Sequence, residues 1–124
     1  MRASAREFHH MMLGTDPAQV GLCLDAHWIY RGAGNSQVAL YDIVQLYGSR
    51  IASLHLRQSR GGVWTQALGD GDIDYQPLVA RLRELRFAGP LIMEQAVEKG
   101  TPTDLPPVER ERQSRAWVRA MFGV

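Results

Sequence analysis

The chain has 124 residues, 45% of them hydrophobic, and 14 Lys+Arg against 13 Asp+Glu give a formal charge of +1. That size and apolar content fit one globular domain, and the near-neutral charge argues against an obligatory nucleic-acid partner, because such proteins concentrate basic charge on one face. No apolar run approaches the ~20 residues that span a bilayer, residues 1–7 lack an apolar signal core, and the single cysteine, Cys23, excludes an internal disulfide framework, so a reducing, cytoplasmic setting is expected.

Taken in order, residues 4–13 predict a helix with Phe8, Met11 and Met12 on its packing side and Gly14 as its stop. His9 and His10 are adjacent, so on a helix they diverge by about 100° and do not share a ligand. Residues 20–24 predict a first strand. Its continuous apolar character suits a parallel strand covered on both faces, with Cys23 a small buried core residue. The glycines at 32 and 34 do not make a phosphate-binding fingerprint, since the GxGxxG spacing is absent. Val38, Leu40, Tyr41, Val44 and Tyr47 recur at helical spacing and Gly48 closes that helix.

Residues 51–56 predict the second strand. The polar, glycine-bearing segment 57–69 is too long for a minimal βα connection and is expected to be functional. Asp74 is the candidate N-cap of a helix over 75–85, whose buried stripe is Leu78, Val79, Leu82 and Leu85. A turn at 87–90 leads to a third strand at 91–93. A loop over 95–107, holding three of the six prolines, precedes a last helix that ends near Phe122. The charged run 109–112 reads as a solvated face, and Trp117, Val118, Met121 and Phe122 as the packing end. Strand–helix alternation predicts an α/β fold of about three right-handed, parallel βα units behind a leading helix.

Each predicted strand delivers an ionisable residue at its C-terminal end: Asp25, His55 and Glu94. Parallel α/β barrels build their sites there, so three strands point three donors at one place. Two carboxylates and an imidazole, without thiolate, suit Mn²⁺, Co²⁺, Mg²⁺ or Zn²⁺. Taken singly, Asp25 is as readily a helix cap and His55 a satisfied strand-end residue. Glu94 has the weaker structural explanation, since a carboxylate after an apolar run must be paired or solvated. His27 is a candidate substrate contact or packs beside Trp28.

Four segments, LCLDAHW (22–28), RIASLHL (50–56), LGDGDID (68–74) and LIME (91–94), resemble in order and spacing the C-terminal half of the xylose isomerase-like TIM barrels, and among them sugar phosphate isomerase/epimerase proteins. The resemblance covers residues 4–124 and implies a partial (β/α)8 barrel. It implies a divalent ion held by Asp25, His55 and Glu94, with Mn²⁺ foremost. It also implies Glu94 as one of two glutamates that move a proton on and off the carbon alpha to a carbonyl, through an enediolate. The family's first ligand, a Glu on the preceding strand, has no counterpart among these residues, and Glu7 on the leading helix is no substitute. Where relatives carry Asp-x-x-His, this chain has Trp28, with His27 one place early. Arg57 and Arg60 lie where some relatives bind substrate oxygens. The LGDGDID turn serves backbone geometry and capping rather than calcium, since the EF-hand pattern and its terminal Glu are absent.

Three parallel strands do not close a barrel, which takes eight. The expectation is a portion of a longer barrel, or a sheet completed by assembly, for instance as a homo-oligomer. Three readings of function follow. The first is a metal-dependent isomerase or epimerase acting on a sugar or sugar phosphate. The second is a non-catalytic barrel segment that assembles with other chains. The third, an apurinic-site endonuclease, needs further His and Asp ligands that residues 57–69 lack.

Overall fold

The computed structural model describes residues 3–124. A leading helix, α1 (Ala3–Gly14), precedes β1 (Leu22–Asp25), α2 (Ala26–Gly32) and α3 (Gln37–Tyr47). A 3-10 turn (Gly48–Arg50) leads into β2 (Ile51–Leu56), and a hairpin of two short strands follows, β3 (Ser59–Arg60) and β4 (Val63–Trp64). Then come α4 (Gln76–Glu84), β5 (Leu91–Met93) and α5 (Pro107–Phe122). No helix among the described residues is long and apolar enough to cross a membrane.

β1, β2 and β5 form a parallel sheet in that order, with Leu24 opposite Leu54, Asp25 opposite His55 and His55 opposite Ile92. This is the wall of a partial (β/α)8 barrel, as the alternation predicts. Leu22, Leu24, Leu54 and Leu56 are buried and join Leu40, Val44, Leu78, Leu82 and Val118 in one core. Side chains alternate across a strand, so Cys23, Asp25, Ser53, His55 and Ile92 take the other face. There Cys23 is exposed and Ile92 partly so. The expected two-sided cover and buried Cys23 are therefore corrected. In a barrel wall the helices cover the outer face alone, and the inner face depends on strands across the barrel.

Two helical residues also depart from expectation. Met11 is 47% exposed and Val38 68% exposed. The buried stripe of α1 runs through Phe8 and Met12, four residues apart, which rotates Met11 outward. In α3 it runs through Leu40, Ile43, Val44 and Tyr47. Asp74 is not the N-cap of α4, which is Tyr75, but its carboxylate still accepts from Gln76 N at 2.9 Å. α4 ends in a Schellman arrangement: Phe87 N donates to Leu82 O and Arg86 N to Arg83 O, with Arg86 at φ +52°.

Segment 57–69 contains the β3–β4 hairpin, which was not anticipated. Its two-residue turn, Gly61-Gly62, has φ of +59° and +81°, the positive pair that a type I′ turn requires. The LGDGDID turn clamps it. Asp72 accepts from Gly61 N, Gly62 N and Ser59 Oγ, each at 2.8 Å. A Cβ on Gly71 would sit 2.3 Å from Ser59 O, so only glycine admits this approach. The reading of that motif as backbone geometry holds.

Candidate metal centre

Three strand ends converge on one point. Asp25 is the last residue of β1 and the N-cap of α2, accepting from Trp28 N at 2.9 Å through Oδ1. His55 lies beside it in register on β2. Glu94 follows β5, and its N–H continues the ladder to Leu56 O at 3.0 Å, which puts its side chain on the face that carries Ile92 and His55. One donor atom from each of Asp25, His55 and Glu94 lies within 4.8 Å of the others. An ion with bonds of about 2.1 Å holds neighbouring donors roughly 3–4 Å apart. The three groups thus fit a common divalent ion after a small inward movement. Asp25 is both cap and candidate ligand, so its two readings do not compete.

Arg57 supports Glu94. Its Nη2 meets Glu94 Oε1 at 3.0 Å and its Nε donates to Glu94 O at 2.8 Å. The guanidinium is almost wholly buried, 4.3 Å from the centroid of Trp64 and 5.5 Å from that of Trp28. Buried Tyr75 donates to Arg57 O at 2.7 Å and fixes its backbone. His55 Nδ1 meets the other Glu94 oxygen at 2.5 Å. The hydrogen bond from His55, then Arg57, holds the Glu94 carboxyl below its usual range. Burial pushes Asp25 the other way, opposed by the Trp28 N–H and Arg57. The site therefore holds two unlike carboxylates, one stabilised as the anion and one not.

The structure brings Arg57 to the Asp25–His55–Glu94 cluster and sets His27 and Arg60 elsewhere. His27 is completely buried one residue into α2. Burial, with Arg31 and Arg57 nearby, drives its pKa down to about 4, so the ring is neutral near pH 7. Trp64 Nε1–H donates to Nδ1 at 3.4 Å, which leaves the proton on Nε2 to meet Ser59 Oγ at 3.0 Å, and Ser59 in turn donates to Asp72 at 2.8 Å. His27 holds the hairpin. Arg60 is exposed on β3 and donates to Asp70 O at 2.9 Å.

Residues that the sequence did not single out complete the frame. Buried Gln58 brackets the hairpin to the 69–73 turn through four hydrogen bonds. Glu98 accepts from Arg31 Nη1 and Nη2 and from Trp64 N, tying α2, β4 and the loop after β5 together. Arg31, above all, lowers the Glu98 pKa to about 2 from an ordinary 4.5. A carboxyl depressed on folding contributes stability above its unfolded pKa and loses it as pH falls through the folded one. The Tm advantage of the native chain over Glu98→Gln is thus expected to be full above pH ~5 and to shrink steadily toward pH 3. Thermal melts across that range check this, and a pH-independent difference would contradict it.

A family model described as xylose isomerase-like TIM barrel matches residues 1–121. No curated protein matches the chain.

Proposed function

The chain belongs to the xylose isomerase-like TIM barrel family, and from that premise we propose that it acts as a divalent-metal-dependent isomerase or epimerase of a sugar or sugar phosphate. The observation that carries the reading is the meeting of Asp25, His55 and Glu94 from three neighbouring strands at the C-terminal end of the sheet, where barrels of this kind do their chemistry.

Asp25, His55 and Glu94 are the residues to hold the ion; their O/N donor set suits Mn²⁺, Co²⁺, Mg²⁺ or Zn²⁺, and the family likeness puts Mn²⁺ foremost. When bound, the ion supplies electrophilic polarisation of a substrate carbonyl and so acidifies the adjacent C–H. Glu94 is the residue to move the proton. It sits half-exposed at the sheet end, within reach of a substrate there, and Arg57 fixes its orientation from behind. Proton removal alpha to the carbonyl leaves an enediolate; proton return to the opposite face of the same carbon gives the epimer, and return to the neighbouring carbon, with the hydroxyl proton passing from one oxygen to the other, gives the isomer. A proton returning on the opposite face needs a second acid, and another chain or segment is the proposed source of it.

Exchange of the alpha proton of a ketose for deuterium, followed by NMR in D₂O with Mn²⁺, tests the reading. Exchange that disappears in Glu94→Gln is the expected result. Metal binding without exchange would favour the second reading, a barrel segment that becomes catalytic only on assembly.

A further inference from the structure

One side chain of the β3–β4 hairpin joins the two arginines that grip the loop after β5. Arg57 holds that loop at Glu94, at 3.0 Å, and Arg31 holds it at Glu98, at 2.8 Å. Both guanidiniums lie over the ring of Trp64, 4.3 Å and 4.8 Å from its centroid. The ring is itself fixed. Its Nε1–H donates to His27, its backbone N–H donates to Glu98 Oε1 at 2.8 Å, and it meets Trp28 edge-to-face at 5.8 Å.

The chemistry of a buried arginine says why an aromatic ring stands there. Arg57 commits its in-plane donors to Glu94, Nη2 to the carboxylate and Nε to the main-chain oxygen. The two faces of a guanidinium carry no donors, and in a residue only 4% exposed water does not cover them. An indole face is a neighbour that shields such a face from water and still attracts the charge. The hairpin that carries the indole is in turn pinned by Asp72 through Gly61 N and Gly62 N. We infer that Trp64 is a positioning residue for the metal centre: it holds the Arg57 guanidinium where it meets both Glu94 Oε1 and Glu94 O, and so orients that carboxylate. The inference rests on the proposed role of Glu94 as a ligand and adds the hairpin to what shapes the site.

The test reads Arg57 directly, in the metal-free chain, as the rate at which its Nε–H proton exchanges with water. The signal is followed by ¹⁵N NMR and assigned by its absence from Arg57→Lys. Trp64→Phe and Trp64→Leu are compared with the native chain. Both lose the bond to His27, and phenylalanine alone keeps an aromatic face. The expected result is exchange within about threefold of native in Trp64→Phe and at least about tenfold faster in Trp64→Leu. Mn²⁺ affinity, read by electron paramagnetic resonance, is expected to follow the same order, with a loss of at least about tenfold confined to Trp64→Leu. If Trp64→Leu does not fold, Trp64→Met takes its place, an adaptable apolar chain without a π face. Equal exchange in the native chain and Trp64→Leu, equal acceleration in Trp64→Phe and Trp64→Leu, or Mn²⁺ bound equally well by the native chain and Trp64→Leu would overturn the inference. A native chain that binds no Mn²⁺ yet shows the expected exchange pattern would sink the metal reading and leave Trp64 as the residue that sets Arg57 on Glu94.

Discussion

Gln58→Leu is expected to lower stability by about 3–5 kcal/mol, or ~10–25 °C in Tm for a chain of this length. The leucine fills similar volume in a site where Gln58 is completely buried, so the loss is polar. The native amide nitrogen donates to Gly69 O at 3.1 Å and Ile73 O at 2.9 Å, and its oxygen accepts from Ser59 N at 3.0 Å and Ile73 N at 3.1 Å. Leucine leaves four backbone groups without these partners, at roughly 1–3 kcal/mol for each that stays unpaired, with partial relaxation offsetting some of it. The consequence reaches the site, because Arg57, the neighbour that orients Glu94, hangs from the same backbone. Thermal melts beside Gln113→Leu, on the exposed face of α5, check this; a drop of less than about 3 °C would contradict the assignment of Gln58 as the bracket.

The second large effect separates the two roles of Asp25. Asparagine caps helices about as well as aspartate, whereas alanine loses about 1 kcal/mol of cap stability. Asp25→Asn is therefore expected to keep its Tm within a few degrees yet weaken Mn²⁺ binding by more than about 100-fold, since removing even a group behind a metal ligand costs 10–100-fold. Asp25→Ala is expected to lose both the cap and the metal. Mn²⁺ titration by electron paramagnetic resonance, with melts of the same samples, reads both. If Asp25→Asn bound Mn²⁺ like the native chain, Asp25 would be a cap and nothing more.

The strands and their terminal ionisable residues were legible because both signals are local: an apolar run, then a residue that such a run does not bury. The one-sided cover of the sheet was not. The run over 20–24 looks alike whether its second face meets helices or the inside of a barrel, and Cys23 falls on the inside. The hairpin escaped because two-residue strands show no alternation; its only signal was Gly61-Gly62 between Ser59-Arg60 and Val63-Trp64. His27 looked like a site residue because it stands two places after Asp25, next to the position where relatives carry the His of Asp-x-x-His. A helix that begins at Ala26 turns the next side chain under, toward Ser59 and Trp64, while Asp25 stays at the end of the sheet. Gln58 carried no signal at all, since a glutamine in a polar segment reads as solvated until the turn that encloses it is known.

The claim on which the rest depends is that three strand ends make one metal site. Native mass spectrometry of the chain loaded with Mn²⁺ tests it most directly, reading metal count and subunit number together, with Glu94→Gln beside it. The account predicts one Mn²⁺ per chain in the native protein, whatever its oligomeric state, and none in the variant. A native chain that stays folded and carries no Mn²⁺, or a variant that carries as much, would contradict it.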